Sequence, residues 1–131
     1  MDINYCSNRK EEKDHGEGGS LLGYQLLCGD SVLIVEDVIT AGTAMKECVP
    51  MLKTLGVSVE GLIISVDRME RGAGSKTAIQ ELKEEYGIET YPIITINDIL
   101  DWLYNGERNG SLTIDPGMIK KIEDYMDQYC V

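Results

Sequence analysis

The alternation of strand-like and helix-like segments is the feature that most constrains what this chain can fold into. Short runs rich in β-branched residues predict three strands, at Ser31–Val35, Val59–Val66 and Tyr91–Ile96. Between them, apolar residues at helical spacing predict two helices, one from about Thr43 to Leu55 and one at Ser75–Tyr86. This alternation is typical of a parallel sheet flanked by helices, so we expect an α/β fold with Ser31–Val35 buried on both faces.

The ends of several elements carry sequence signals. Gly56 and Gly87 predict where the two helices stop, and Pro50, which lacks an amide donor, predicts a kink or a break in the first helix. The remaining elements are predicted as short strands at Ile3–Cys6 and Leu21–Leu27, a short helix capped by Asn97 and running to Tyr104, and a last helix opened by Asp115 and Pro116.

Length, charge and hydropathy exclude several classes of protein. The 131 residues fit a single domain, 1–131, and a hydrophobic content of 43% excludes wholesale disorder. A net charge of −11 without a visible basic patch argues against nucleic acid as a partner. The longest apolar runs, Val32–Val35 and Leu62–Ile64, are far shorter than the roughly 20 residues that cross a bilayer. We therefore expect a soluble cytoplasmic protein with no membrane contact.

Cysteine and histidine usage does not predict a metal centre built from protein side chains. The four cysteines are scattered along the chain without a Cys-x-x-Cys pair, and the single histidine, His15, has no cysteine or second histidine beside it. We expect the cysteines to be reduced thiols that pack as small apolar side chains.

The segment Val32–Ala44 (V-L-I-V-E-D-V-I-T-A-G-T-A) is the most informative for function. Its strand delivers Glu36 and Asp37 to the carboxyl edge of the sheet, where ligands of open α/β sheets bind. The small residues of Thr40–Ala44 then open a helix, and backbone amides at a helix N-terminus favour an anion such as phosphate. The acids can accept hydrogen bonds from sugar hydroxyls or hold a divalent cation, which together indicates a ribose phosphate. A tight turn beside a solvated strand end remains the alternative.

Three motifs in order resemble those of a known family. The stretch 36–44 resembles the phosphoribosyl-pyrophosphate signature of the type I phosphoribosyltransferases. The charged loop N-R-K-E-E-K-D-H-G-E-G-G at 8–19 and D-R-M-E-R-G at 67–72 narrow the resemblance to the orotate phosphoribosyltransferase family. The resemblance runs from about Asn8 to the last helix.

The resemblance implies site residues, each at a matching position of this sequence. Phosphoribosyl pyrophosphate would be bound by Arg9, Lys10, Lys13, His15, Glu36, Asp37, Val38, Ile39, Thr40, Ala41, Gly42, Thr43 and Ala44. Catalytic roles would fall to Lys13, His15, Glu36 and Asp37. Orotate would contact Thr40 and Arg68, since a guanidinium suits forked recognition of a planar carboxylate. The alternative for Arg68 is an ion pair with Asp67, Glu70 or a neighbouring strand end.

The segment 8–20 has no large apolar side chain to bury, so it predicts an exposed, mobile basic loop. The resemblance implies that this loop closes over the diphosphate, commonly in the active site of a partner subunit of a homodimer. Because four acids offset Arg9, Lys10 and Lys13, a solvated charged loop is the alternative from composition alone.

The implied reaction converts orotate and phosphoribosyl pyrophosphate to orotidine 5′-phosphate and pyrophosphate in pyrimidine synthesis, with Mg²⁺ bound mainly through the diphosphate. A non-catalytic nucleotide-binding or regulatory module and an inactive structural fragment are the alternatives. Members of the family carry a further segment before the loop, and Ser7 stands where they usually have an aromatic residue. We therefore expect an N-terminally truncated copy that turns over slowly and self-associates.

Overall fold

A computed structural model describes residues 2–8, 21–40, 42–72, 74–108, 110 and 115–131. The predicted mobile loop at 8–20 lies outside the described residues except for Asn8, the last residue of a strand. The strands are β1 (Cys6–Asn8), β2 (Leu21–Gly23), β3 (Ser31–Val38), β4 (Ser58–Asp67) and β5 (Thr90–Thr95). The helices are α1 (Thr43–Thr54), α2 (Ala78–Tyr86), α3 (Ile96–Arg108) and α4 (Pro116–Tyr129). The predicted α/β fold is confirmed.

The central sheet contains β3, β4 and β5, all parallel and in the order of the chain. Its register sets Val35 beside Ile63, and Ile63 beside Tyr91. Crossover connections between parallel strands are right-handed, so two successive crossovers in the same direction bring α1 and α2 to the same face. The buried core confirms this, because Val49 of α1, Leu82 of α2 and strand β4 share one apolar cluster.

The opposite face of the sheet is exposed, which corrects the expectation that Ser31–Val35 is buried on both faces. Val35 and Ile93 are 73% and 72% exposed, and Leu33 and Tyr91 are exposed beside them. Strand composition alone predicted a two-sided burial, whereas the sequential strand order covers one face with both crossover helices. The structure therefore has a continuous apolar surface across its three strands.

Two predictions, the end of the first strand at its acids and a break within the first helix, are wrong. Strand β3 does not end at Glu36 and Asp37 but continues through both acids to Val38, which pairs with Val66 of β4. Helix α1 is not broken at Pro50. Pro50 is exposed, so the single backbone hydrogen bond that its missing N–H removes does not leave a buried gap in the core.

The starts of two helices are set by side-chain hydrogen bonds and not by the spacing of apolar residues. Helix α2 begins at Ala78 instead of Ser75, because Thr77 and Gln80 form a capping box. Helix α3 is capped by Thr95, which exchanges hydrogen bonds with Asp98, instead of by Asn97. It also runs four residues beyond Tyr104, to Arg108.

The other predicted helix ends are confirmed. Gly56 and Gly87 adopt left-handed φ angles of 74° and 71° just beyond α1 and α2. At the start of α4, Asp115 Oδ1 accepts a hydrogen bond from the amide of Gly117 at 3.0 Å, with Pro116 as the first helical residue.

Strands β1 and β2 form a short antiparallel sheet of their own, separate from the main sheet. Strands β1 and β2 pair Cys6 with Gly23, whose φ of +106° and close approach to the carbonyl of Tyr5 require glycine. Both strands are shorter than, or shifted from, the predicted Ile3–Cys6 and Leu21–Leu27. None of the helices that the structure describes is long and apolar enough to cross a membrane.

Candidate active site at the carboxyl edge of the sheet

Glu36 and Asp37 lie side by side at the end of β3 but point to alternate faces of the sheet. Side chains alternate along a strand, and β3 extends past both residues. Glu36 is half-buried and lines a cavity of about 350 Å³ together with Ala44 and Met45 of α1. Asp37 is exposed on the other side. The Glu36 side chain nevertheless stays close to Asp37, because its Oε1 accepts a hydrogen bond from the Asp37 amide at 3.4 Å and a side-chain hydrogen bond links the two acids.

Asp37 is held in its ionised form by its surroundings. Its Oδ1 accepts a hydrogen bond from the amide of Val38 at 2.6 Å, which is the main cause that lowers the Asp37 pKa below its usual value. The positive charge of Arg68 lowers the same pKa further, although it is the smallest of the causes. The ends of β3 and β4 thus bring Asp37 and Arg68 within electrostatic reach of each other.

The segment that follows β3 leads directly into α1. Ile39 is half-buried against the core, Thr40 is exposed, and Gly42 is buried with a left-handed φ of 67°. A Cβ at Gly42 would meet nothing closer than the Cβ of Ala78 at 3.8 Å, so backbone conformation, not crowding, requires glycine.

The N-terminus of α1 is open to a ligand. Gly42 at the cap position provides no side-chain hydrogen bond, and the first turn contains no acidic residue. Thr43 and Ala44 of this turn are exposed. Because the first amides of a helix have no partner within the helix and carry its positive dipole end, this turn is suited to an anion.

Arg68 directly follows β4 and forms an ion pair with Glu70. Its Nη2 donates to Glu70 Oε2 at 3.2 Å, and its Nε lies 3.1 Å from Glu70 Oε1 without a well-directed hydrogen bond. The Arg68 side chain is 36% exposed. The ion pair with Glu70, which the sequence offered as one alternative, is therefore present. Among the described residues no protein group binds Nη1, so this edge of the guanidinium is available to a ligand.

The remaining predicted site residues fall into two groups. Val38 and Ile39 are half-buried, and Val38 pairs within the sheet, so their side chains support the fold while their backbone borders the site. The other group lies outside the described residues and consists of Arg9, Lys10, Lys13, His15 and Ala41.

Tyr125 is a neighbour of the site that the sequence did not predict. The hydroxyl of Tyr125 on α4 donates to Glu70 Oε1, across 55 positions of the chain. No local signal around Tyr125 predicts this contact, because tertiary packing of α4 creates it.

No group of three or more His, Cys, Asp or Glu side chains that could hold a metal ion occurs within the part of the chain that the structure describes. The acids at this edge include Glu36 and Asp37 near the end of β3 and Asp67 at the end of β4, and they do not come together in such a group. A divalent cation here would therefore need ligand oxygens from another source, such as the phosphate groups of a bound substrate.

The fold and the edge just described define a domain of the type I phosphoribosyltransferase kind. The crystal structure of orotate phosphoribosyltransferase from Francisella tularensis matches this chain with a TM-score of 0.74 and 25% identity, over 100% of this chain and 58% of that one. The structure of the Aeropyrum pernix orotate phosphoribosyltransferase matches with a TM-score of 0.55 and 27% identity, over 79% and 52% of the two chains.

The sequence comparison narrows the class further. The chain is 52% identical over 130 residues to the orotate phosphoribosyltransferase of Clostridium beijerinckii and 51% identical over 131 residues to that of Lachnoclostridium phytofermentans, covering 98% and 99% of this chain. Over nearly its whole length the chain is thus similar to orotate phosphoribosyltransferases, and it spans 58% of the length of these two relatives. No protein-family model matches the sequence.

Proposed function

We propose that this chain binds phosphoribosyl pyrophosphate and orotate and transfers the phosphoribosyl group to orotate, releasing pyrophosphate. The observation that carries the proposal is the meeting of Asp37, Arg68 and the open N-terminus of α1 at one edge of the sheet, in a chain about half identical to orotate phosphoribosyltransferases. Family similarity supports the choice of an enzyme over a non-catalytic binding module.

The backbone at 40–44 would hold the 5′-phosphate. Its small side chains and the uncapped first turn of α1 leave amide donors accessible to an anion. Asp37 and Glu36 would accept hydrogen bonds from the ribose hydroxyls near the carboxyl end of β3. Because the bond from the ribose C1 to pyrophosphate breaks, with positive charge developing on the sugar before the bond to orotate is complete, an ionised Asp37 nearby would stabilise the transition state more than the ground state.

Arg68 and Thr40 would orient orotate. The Nη1 edge of the guanidinium matches a planar carboxylate, and the exposed Thr40 hydroxyl can donate or accept beside it. Arg9, Lys10, Lys13 and His15 would neutralise the leaving pyrophosphate from the loop at 8–20. The composition of this loop supports the role. Its cationic side chains have no large apolar neighbours, so they can turn to a highly charged ligand without breaking apolar packing.

Mg²⁺ would enter bound to the diphosphate. Oxygens of the diphosphate would coordinate the ion together with the carboxylates of Glu36 and Asp37. The ion would supply charge neutralisation on the leaving group. A homodimer, with the loop at 8–20 reaching the partner's active site, is part of the proposal and is supported by the exposed apolar face of the sheet. We also propose a single domain and a cytoplasmic location, in keeping with the free cysteines.

The test is product formation by the purified chain with Mg²⁺, orotate and phosphoribosyl pyrophosphate. We expect orotidine 5′-phosphate to form, and Asp37→Asn, which removes the charge but keeps the shape, to slow its formation about 100-fold. Glu60→Gln is the matched control, because Glu60 is an exposed acid near the start of β4, at the opposite edge of the sheet. Binding of phosphoribosyl pyrophosphate without any product would favour the non-catalytic module, and binding of neither substrate would favour a structural role.

A further inference from the structure

Glu70 places two oxygens against the Arg68 guanidinium. Oε2 accepts a hydrogen bond from Nη2 at 3.2 Å, and Oε1 lies 3.1 Å from Nε. The Glu70 side chain is only 12% exposed, whereas that of Arg68 is three times as exposed. A half-exposed arginine with several rotatable bonds is thus held on one edge by a mostly buried carboxylate, and its opposite edge is left toward solvent.

Glu70 is itself held by α4. The hydroxyl of Tyr125 donates to Glu70 Oε1, and this hydrogen bond is the main cause that raises the pKa of Tyr125 above its usual value. The Tyr125 ring also contacts the ring of Tyr129, with 4.8 Å between their centroids. The carboxylate therefore bridges the arginine on one side and a phenol anchored on a helix on the other.

The end of α4 also fixes the backbone that carries this pair. The amide of Val131 donates to the carbonyl of Met69 at 3.1 Å, and the amide of Arg71 donates to that of Tyr129 at 2.9 Å. The thiol of Cys130 donates to the carbonyl of Arg68 at 3.1 Å. A short antiparallel ladder thus ties the segment after β4 to the last helix.

Met69, between the two charged residues, has a left-handed φ of 55°. It is the one residue other than glycine with a positive φ in the described part of the chain. Its amide donates to Asp67 Oδ1 at 2.8 Å, which stabilises the turn. A strained conformation persists only where its surroundings hold it, so the turn that sets Arg68 against Glu70 is well determined.

We infer that Glu70 and Tyr125 are positioning residues that fix the Arg68 guanidinium so that its free edge receives the carboxylate of orotate. This inference rests on the proposed function, in which Arg68 contacts orotate. Held in one orientation, Arg68 loses little side-chain entropy when the ligand binds. Hydrogen bonding from Tyr125 also draws charge from Glu70, so the carboxylate competes less with the ligand for Arg68.

The test is calorimetric titration of the full chain and its variants with orotate and, separately, with phosphoribosyl pyrophosphate. Glu70→Ala should weaken orotate binding tenfold or more, and Tyr125→Phe about threefold, while the Kd for phosphoribosyl pyrophosphate stays within twofold. Glu70→Gln keeps an acceptor oxygen for Nη2 and should restore most of the orotate affinity. Tyr129→Phe is the matched control, since it removes a hydroxyl one helical turn away in the same ring pair.

A spectroscopic readout reports the contact itself. The phenol absorbance of Tyr125, isolated as the difference between the parent chain and Tyr125→Phe, should titrate at a lower pH in a Glu70→Gln background, because the neutral amide no longer disfavours the phenolate.

The outcomes separate the two proposals. Orotate binding by the parent chain that is unchanged in Glu70→Ala and Tyr125→Phe overturns the positioning roles alone. Equal loss of affinity for both substrates also overturns them, because it shows a general structural effect. Failure of the parent chain to bind orotate overturns the proposed function together with this inference, and the tyrosine titration then still reports whether Tyr125 contacts Glu70.

Discussion

At the scale of single residues, the sequence predicted which charged residues lie at the site but not how their side chains are oriented. Glu36, Asp37 and Arg68 were recognisable because they follow predicted strands and match a motif. Their orientation was not, because it depends on where β3 ends. A strand that stopped before Glu36 would leave both acids free to turn to one side, whereas a strand through Val38 sends them to alternate faces.

Gly42 offers a residue-scale test of the anion site. Its φ of 67° is unfavourable for other residues, and a β-branched side chain there would shift the backbone that leads into α1. We expect Gly42→Val to weaken phosphoribosyl pyrophosphate binding by about an order of magnitude or more, measured as Kd by calorimetry. Gly87→Val is the control, because Gly87 has a φ of 71°, open surroundings and no part in the site.

Both substitutions should lower the melting temperature, since each forces a β-branched residue into the left-handed region. Only Gly42→Val should also weaken the binding of phosphoribosyl pyrophosphate. A folded Gly42→Val chain whose Kd equals that of the parent would show that the turn before α1 does not bind the phosphate.

At the scale of the elements, the sequence predicted every helix and strand of the parallel sheet, but the start of α2 shifted by three residues and the cap of α3 by two. Thr77 and Thr95 cap α2 and α3 because each finds a partner three residues on, in Gln80 and in Asp98. The predicted starts relied on apolar spacing and on Asn97, whose side chain instead donates to the sulfur of Met69. Capping hydrogen bonds of this kind depend on the local turn, which spacing does not encode.

The capping pair of α3 predicts a dependence of stability on pH. The hydroxyl and the amide of Thr95 both donate to Asp98, and these two bonds lower the pKa of Asp98, the hydroxyl more than the amide. A carboxyl with a lowered folded pKa stabilises the fold above its unfolded pKa, and this stabilisation is lost as pH falls through the folded value.

We therefore expect Asp98→Ala to lower the melting temperature by a few degrees at pH 7, and the difference from the parent chain to vanish in strong acid. Asp101→Ala, an exposed acid on the same helix, should change the melting temperature little at either pH. An Asp98→Ala deficit that persists at pH 2 would mean that the cap does not depend on ionised Asp98.

At the scale of the whole molecule, strand order decides which surface is left uncovered. Composition predicted buried strands, but α1 and α2 both lie on one face, and Leu33, Val35, Tyr91 and Ile93 remain exposed on the other. No pattern within a single strand distinguishes a strand covered on two faces from one covered on a single face, since both are apolar throughout.

This apolar face predicts self-association of the chain. We expect a concentration-dependent dimer in sedimentation velocity, weakened at least tenfold when Val35 and Ile93 are both replaced by threonine. Leu55→Thr is the control, because Leu55 is an exposed apolar residue beyond the end of α1. A parent chain that stays monomeric at high concentration, or a double variant that associates equally well, would show that this face does not mediate the contact.

The pattern of backbone amide chemical-shift changes on titration with phosphoribosyl pyrophosphate and Mg²⁺ tests directly whether the carboxyl edge of the sheet binds substrate. We expect saturable changes at 36–44 and 67–70, where the ends of β3 and β4 meet the first turn of α1. The amides at 118–124 of α4 should change little. The absence of saturable changes, or changes confined to α4 or to the exposed face of the sheet, would contradict the assignment of this edge as the substrate site.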